Sequence, residues 1–281
     1  MRKESAIPPI VSTDWVNKNS DDPKLVILDI RSSEEYKEGH ILNAVNSPFP
    51  NWFVERDGLA LELPETGALL STIGSAGITT DSKVVVVNIT DSSFPLSDAA
   101  RVADMLIYVG VENAAILDGG HEKWVKEGKP VSAAPNEPKP VSHSAEVNEE
   151  MFVKKEYVES RIGKSTIIDG RTPDVYFGVT QEPFTQRPGH IPSARCLPNP
   201  WIWTEEGTYK DVQELRQMAA GVIGEDTSKE IIVYCGVGGY ASAWWFVLNQ
   251  VLGYTNVKIY NGAAQEWTRD PKAPVNVYRW D

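Results

Sequence analysis

The sequence is an imperfect repeat of itself, and this feature limits the folds available to it. Four short motifs occur in the same order in both halves of the chain, which indicates two copies of one structural unit. Asp29 and Asp169 are 140 residues apart, whereas His40 and His190 are 150 apart, so the second copy carries ten extra residues between these motifs. The motif pairs are LDIR at 28–31 with IDGR at 168–171, GHI at 39–41 with GHI at 189–191, VVVVN at 84–88 with IIVYC at 231–235, and GGHEKW at 119–124 with GAAQEW at 262–267.

The stretch between the two copies differs in composition. Residues 130–149 are rich in proline, serine and charged residues, which is typical of a linker rather than of a packed core. We therefore predict two domains in this chain of 281 residues, at 1–129 and 150–281.

Each copy alternates short runs of β-branched residues with longer segments in which apolar residues recur with the period of an α-helix. In the second copy the predicted strands are 166–169, 230–234 and 256–260, and the predicted helices are 150–162, 211–220 and 240–252. Apolar strands separated by helices indicate an α/β fold, in which each domain has a mainly parallel sheet flanked by helices. Ligands of such sheets bind beyond the carboxyl ends of the strands, which is where Cys235 lies.

Composition excludes several functions. The formal net charge is −12, and no basic stripe is available to neutralise a phosphate backbone, so we expect no nucleic-acid partner. No segment approaches the roughly 20 apolar residues of a membrane span, so we expect no membrane partner. Because the N-terminus lacks the apolar run of a secretory signal, we expect a cytoplasmic protein, or a periplasmic or secreted one if a signal peptide has been removed.

The cysteine and histidine content indicates neither a disulfide framework nor a metal centre. The two cysteines, Cys196 and Cys235, are predicted to be free thiols. A zinc site needs about four grouped ligands, and the histidines are too scattered for that, so we expect no metal and no cofactor. They are His40, His121, His143 and His190.

Features present in both copies are best explained by the shared fold. His40 and His190 belong to this class, and we predict that they hold loops through hydrogen bonds rather than acting as general bases. The paired Asp-x-Arg motifs are likewise predicted to form internal ion pairs.

Cys235 occurs in the second copy only, because its counterpart in the first is Asn88. It is followed by a glycine-rich loop and a predicted helix. Glycine tolerates left-handed dihedrals, so successive backbone amides can turn inward and favour an anion at the helix start. We expect this arrangement to lower the pKa of the thiol and supply a nucleophilic thiolate; the alternative is a buried structural cysteine. The loop residues are Gly236, Val237, Gly238, Gly239, Tyr240 and Ala241.

The second cysteine, Cys196, aligns with Asn46 and has no glycine loop after it. We predict that it is a small packing residue, and a resolving thiol is the alternative.

The Asp-x-Arg, Gly-His-Ile, strand-Cys-loop and Gly-x4-Trp pattern resembles the tandem rhodanese family of thiosulfate and 3-mercaptopyruvate sulfurtransferases. The resemblance runs from about Val11 to Trp267. It implies two rhodanese-like domains, of which 1–129 lacks the catalytic cysteine and 150–281 is catalytic. It also implies that Cys235 takes sulfur from a small donor as a persulfide. The acceptor would be cyanide or a thiol, with a reduced thioredoxin-like protein as one candidate.

The loop departs from both familiar versions of the family. Thiosulfate enzymes usually place basic residues after the cysteine, and this loop has none. Mercaptopyruvate enzymes usually have a hydroxyl residue and a threonine where this chain has Val237 and Tyr240. Val175 stands where a substrate-binding arginine is expected, which leaves Arg187 as the candidate to hold the donor's anionic group; the alternative is a solvated loop arginine. One carboxylate suits such a site better than a dianion, so 3-mercaptopyruvate is the expected donor.

Two other functions remain open at this stage. A cysteine phosphatase or arsenate reductase would need the pattern Cys-x5-Arg, but Ala241 occupies that arginine position. The chain could also be a non-catalytic sulfur carrier or a binding module of rhodanese-like fold.

Overall fold

A computed structural model of the chain describes residues 7–144 and 147–280. The chain divides into two compact units. The first comprises the residues up to Val54, Leu63–Asn148 and Glu205–Tyr209, and the second comprises Glu55–Glu62, Glu149–Thr204 and the residues from Lys210 onward.

The first half of the chain alternates strands and helices. In chain order they are β1 (Ile10–Val11), α1 (Thr13–Asn19), β2 (Leu25–Asp29), α2 (Ser33–Glu38), β3 (His40–Ile41), β4 (Val45–Asn46), β5 (Val54–Arg56), β6 (Leu59–Glu62), α3 (Thr66–Ser75), β7 (Lys83–Val87), α4 (Ser93–Tyr108), β8 (Ala114–Leu117), α5 (Gly120–Lys126) and β9 (Val131–Ser132). Within the described residues the main sheet has the order β1-β8-β7-β2-β4, and all its strand pairs are parallel. Strand β3 pairs antiparallel with β9, and β5 pairs with β6.

The second half repeats this order. Its elements are β10 (Phe152–Val153), α6 (Lys155–Arg161), β11 (Thr166–Asp169), α7 (Pro173–Tyr176), β12 (Ala194–Cys196), α8 (Val212–Ile223), β13 (Ile231–Tyr234), α9 (Gly239–Phe246), β14 (Val257–Tyr260) and α10 (Ala263–Trp267). The sheet of the described residues has the order β10-β14-β13-β11-β12, again with parallel pairs. After α9 the chain continues as a π-helical turn at Val247–Val251.

The two sheets confirm the predicted α/β fold and the alignment of the copies. Asp29 pairs with Asn46 in the first sheet, and Asp169 pairs with Cys196 in the second. The central strands β7 and β13 are buried on both faces, since residues 84–87 and 231–234 are at most 1% exposed. Burial on both faces explains why these strands are continuous apolar runs rather than alternating ones.

The predicted helix at 150–162 is wrong in its first part. Phe152 and Val153 form the edge strand β10 beside β14, in register with Ile259 and Tyr260. The aromatic and β-branched side chains suit a half-buried edge strand. Helix α6 therefore starts only at Lys155.

The proline-rich segment after α5 packs along the first unit. Val131 and Ser132 form β9, and the Val141 amide donates to the carbonyl of Gly74 at 2.9 Å. A Cβ built at Gly74 would lie 2.3 Å from the Val141 carbonyl oxygen, so this close approach requires glycine. The division between the units falls after Asn148.

The second unit includes the hairpin segment Glu55–Glu62. The side-chain amide of Gln265 bonds both polar backbone groups of Ala60, at 2.9 Å and 2.8 Å. The Arg269 guanidinium donates to the carbonyl of Asp57 at 2.8 Å. These bonds hold the hairpin beside α10.

No helix in the described part of the chain is both long and apolar enough to cross a membrane.

Candidate active site

Cys235 follows β13 at the carboxyl end of the sheet of the second unit, and it is only 2% exposed. The carbonyl of Cys235 accepts from the Ala264 amide at 2.9 Å, and that of Gly236 accepts from the Gln265 amide at 3.0 Å. These amides belong to the first turn of α10. The strand end and the helix start thus fix the backbone from which the thiol projects.

The sulfur of Cys235 faces backbone amides of the loop that follows it. The Gly238 amide donates to the sulfur at 3.1 Å, and the amides of Ala241 and Val237 also stabilise its charged form. Gly238 has φ of +98°, the left-handed conformation expected for the glycines of this loop, whereas Gly236 and Gly239 lack a positive φ. Helix α9 begins at the next residue, so the sulfur lies at a helix N-terminus.

The pKa of the Cys235 thiol is raised, not lowered as the sequence led us to expect. Burial is the largest cause, because transfer from water disfavours the charged form. The amide of Ala241 opposes this effect, the charge of Glu182 adds to it, and the amides of Gly238 and Val237 oppose it. Burial thus favours the protonated thiol, whereas the loop amides favour the anion.

Glu182 and Phe184 cover the loop from one side. A Cβ built at Gly236 would lie 2.5 Å from the Phe184 ring and 2.7 Å from Oε2 of Glu182. Because real Cβ atoms do not approach so closely, a side chain at position 236 would require the ends of Phe184 and Glu182 to shift. Both covering residues belong to the extra segment of the second copy.

The carboxyl of Glu182 faces the buried guanidinium of Arg171. Nη1 of Arg171 lies 3.5 Å from Oε2 of Glu182, while Nε and Nη2 bind Asp169. Burial raises the pKa of Glu182, and the positive charge of Arg171 opposes that rise. Glu182 is not among the site residues predicted from the sequence, and the length of the extra segment is the one signal that points to it.

Arg187 is held by backbone carbonyls. Its Nε donates to Thr268 at 3.2 Å, and its Nη2 donates to Asp270 at 2.7 Å and to Ala273 at 2.9 Å. The Gln186 amide also donates to the Thr268 hydroxyl, at 3.0 Å. These bonds anchor the covering segment, which we define as residues 181–187. The suggested role of Arg187 in holding a donor stays a prediction.

The polar groups shared by the two copies have matching structural partners. Arg31 binds Asp29 and the Gly39 carbonyl, and Arg171 binds Asp169 and the Gly189 carbonyl, with distances of 2.6 Å and 2.8 Å from Nη2 in both cases. His40 and His190 each contact the carbonyl of a tyrosine through Nδ1 and stack on its ring. The geometry agrees with the structural role expected for all six residues.

Cys196 lies apart from the glycine loop, on β12. Its thiol donates to the carbonyl of Arg171 at 3.6 Å, and burial raises its pKa to about 12. Neither cysteine is in a disulfide, which confirms the prediction of free thiols.

Val237 and Tyr240 are half-buried, and Ala241 is buried. Ala241 contributes its amide to the sulfur rather than a charged side chain. Gly239 lies near the hairpin of the second unit, since a Cβ built there would be 3.6 Å from Cδ1 of Leu61. The loop itself thus contributes amides but no charged side chain, and the carboxyl of Glu182 lies beside it.

The duplicated parallel sheets define a tandem-domain protein, and one of its two copies carries a cysteine loop. Residues 12–127 and 154–270 each match the model of the rhodanese-like domain. The chain therefore belongs to the rhodanese family, whose named relatives are sulfurtransferases and sulfur carriers.

Relatives of this chain align over almost its whole length. A protein of Mycolicibacterium smegmatis named "Putative thiosulfate sulfurtransferase" is 31% identical, over 95% of this chain and 97% of the relative. The "Sulfur carrier protein TtuD" of Thermus thermophilus is 31% identical, over 95% of each chain. The crystal structure of SseA from Escherichia coli, described as a 3-mercaptopyruvate sulfotransferase, is 29% identical with a TM-score of 0.79, over 92% of this chain and 99% of SseA.

Proposed function

We propose that this protein is a sulfurtransferase that carries sulfane sulfur on Cys235 as a persulfide. The observation that carries the proposal is the set of amides from Val237, Gly238 and Ala241 around a sulfur placed at the start of α9. Such an arrangement stabilises a sulfur anion without any basic side chain. The relatives named for sulfur transfer support the same chemistry.

The first half-reaction loads the cysteine. The Cys235 thiol loses its proton to water, and the thiolate attacks the terminal sulfur of the donor. With 3-mercaptopyruvate the carbon–sulfur bond breaks, and the electron pair leaves as the enolate of pyruvate, which takes up a proton. With thiosulfate the sulfur–sulfur bond breaks and sulfite leaves. The products are the persulfide of Cys235 and pyruvate or sulfite.

The second half-reaction empties the cysteine. An acceptor thiolate or cyanide attacks the outer sulfur of the persulfide, and the bond between the two sulfurs breaks. The electron pair returns to Cys235, whose thiolate faces the same amides as before. The acceptor leaves as a persulfide or as thiocyanate.

We expect 3-mercaptopyruvate to be the better donor. Residues 236–241 include no lysine or arginine, and amide dipoles alone are a weak counterpart for the dianion thiosulfate. A single carboxylate remote from the reacting sulfur needs less positive charge. The preference for 3-mercaptopyruvate therefore rests on this charge argument and not on membership of the rhodanese family.

A sulfur carrier is the second candidate, favoured by the missing hydroxyl at Val237 and by the likeness to TtuD. A carrier would form the same persulfide but pass the sulfur to a protein thiol rather than to cyanide. A reduced thioredoxin-like protein is the acceptor to compare with cyanide.

Intact mass spectrometry tests the proposal. Reduced protein is incubated with each donor, and a gain of about 32 Da that a reductant removes indicates a persulfide. The gain should be absent in Cys235→Ser and retained in Cys196→Ser. If neither donor loads the wild-type protein, the proposed function is wrong.

A further inference from the structure

The strongest unexplained feature of the site is a carboxyl group where an anionic donor should approach. Oε2 of Glu182 lies 2.7 Å from the point where a Cβ of Gly236 would be, one residue after the nucleophile. Its charge acts on Cys235, because it contributes to the raised pKa of that thiol. A carboxylate here opposes both the thiolate and any anion that reaches it.

The position of Glu182 is built into the fold. The Thr185 amide and hydroxyl both bond the Glu182 carbonyl, at 3.1 Å and 2.9 Å. The Gln181 side chain bonds the Thr185 carbonyl at 2.7 Å. Arg187 then fixes the end of the covering segment through its three carbonyl partners. The backbone that carries Glu182 is therefore held in place, and its carboxyl faces the guanidinium of Arg171 at 3.5 Å.

The charges around Glu182 do not cancel its own. Arg171 is the positive neighbour, but it already binds Asp169 through two nitrogens. Asp169 and Asp174 are the negative neighbours acting on the carboxyl. An ionised Glu182 thus leaves the cluster of Asp169, Arg171 and Glu182 with one net negative charge facing the loop.

We propose that Glu182 is a specificity-determining residue, which disfavours reagents with negative charge close to the sulfur that Cys235 attacks. Thiosulfate carries its charge on the reacting sulfur itself and on the three oxygens of the adjoining sulfonate group, whereas 3-mercaptopyruvate carries a single charge on the carboxylate at the far end of the molecule. This selection deepens the proposed function and rests on it for the donors. The selection by charge can be tested without any sulfur transfer.

Two alkylating agents of nearly equal size measure the charge selection directly. Iodoacetamide is neutral and iodoacetate is an anion, and both react with the same thiolate. The ratio of their rates at Cys235 therefore cancels any change in the pKa of the thiol. All variants carry Cys196→Ser, so that Cys235 is the one thiol left in the chain, and rates are taken at about pH 8.5.

Glu182→Gln should raise the iodoacetate-to-iodoacetamide ratio about tenfold, because one nearby charge is removed in a partly buried site. Glu182→Asp keeps the charge and should leave the ratio within about twofold of its original value. Glu214→Gln removes a carboxylate whose side chain is 52% exposed on α8, and it should leave the ratio unchanged. An unchanged ratio in Glu182→Gln overturns the proposal, and so does an equal rise in Glu182→Asp, which would indicate an effect of shape.

Donor kinetics extend the test. Glu182→Gln should raise kcat/KM for thiosulfate about tenfold and change kcat/KM for 3-mercaptopyruvate by less than about threefold. If Glu182→Gln raised kcat/KM for 3-mercaptopyruvate alone, the proposed selection by charge would be contradicted. If no donor loads the wild-type protein while the alkylation ratio shifts, the proposed function fails and the role of Glu182 stands.

Discussion

Asn88 and Cys235 occupy the same position in the two copies of the fold. Each follows the central strand of its sheet, and each uses its carbonyl to accept an amide from the helix after the next strand. The distance is 3.1 Å from His121 to Asn88 and 2.9 Å from Ala264 to Cys235. The backbone of the site is thus present twice, and the side chain at this one position separates the copy with a cysteine from the copy with an asparagine.

Replacing Cys235 with serine should abolish sulfur loading and transfer. The change is nearly isosteric, but a hydroxyl is not ionised near neutrality. Circular dichroism should show a folded protein, and donor-to-cyanide transfer should fall below detection. Cys196→Ser is the matched control and should retain activity within about twofold. An inactive Cys196 variant beside an active Cys235 variant would reverse the assignment.

Gly238→Val should reduce transfer strongly while the protein stays folded. The residue has φ of +98°, which a β-branched residue resists at a cost of about 1–3 kcal/mol. The strain is expected to turn the Gly238 amide away from the sulfur. Steady-state kinetics together with thermal unfolding would measure both effects. Full activity in this variant would mean that the glycine does not shape the site.

Gly236→Ala should disturb the covering segment rather than the amides. The added methyl would collide with Phe184 and Glu182 at distances of 2.5 Å and 2.7 Å. We expect faster alkylation of Cys235 by iodoacetamide, since the segment must move outward. Phe184→Ala in the same chain removes one collision and should partly restore the stability measured by thermal unfolding.

Arg187→Ala distinguishes a donor-binding arginine from an anchoring one. If Arg187 anchors residues 181–187, loss of its bonds to three carbonyls should lower the free energy of unfolding by about 1.5–3 kcal/mol. The kcat/KM should then fall by a similar factor for both donors. If Arg187 binds the donor carboxylate, KM should rise roughly ten- to hundredfold without a loss of stability. Unchanged kinetics and stability would make it a surface charge.

The raised pKa of Cys235 predicts a shifted pH profile. Reactivity toward iodoacetamide should rise with pH through a pKa above the usual value of about 8.5. Burial favours the protonated thiol of Cys235. The stability linked to this protonation is therefore fully present below the ordinary cysteine pKa, and it is lost as the pH rises through the raised pKa of the folded protein. In a Cys196→Ser background, the alkaline loss of stability should be smaller in Cys235→Ser. If the reactivity of Cys235 toward iodoacetamide rose through a pKa below about 8.5, the effect of burial would be contradicted.

The sequence predicted the features that depend on residue type and order. The strands at 166–169, 230–234 and 256–260 differ from the observed strands by at most one residue at the start. The ion pairs, the histidine contacts and the left-handed Gly238 follow from local chemistry, and each appears as expected. These features either occur in both copies or involve residues close together in the sequence. The spacing of the motifs was therefore enough to predict them.

The sequence could not predict the features that depend on distant packing. The helix prediction at 150–154 failed because pairing with β14 outweighed the local helical pattern. The prediction of a lowered pKa for Cys235 was wrong. The glycine-rich sequence indicates amides that lower the pKa, but it does not show how deeply the sulfur is buried, and burial raises the pKa. Glu182 was missed because 53 residues separate it from the cysteine, with no motif around it.

The hairpin segment Glu55–Glu62 limits where the chain can be divided into two independent pieces. It is encoded within the first copy, yet it belongs to the second unit, where Gln265 bonds Ala60. A gene fragment for residues 149–281 would therefore not encode the complete unit that contains the cysteine. Cutting the chain between the two copies would also leave the side chain of Gln265 without its two bonds to Ala60.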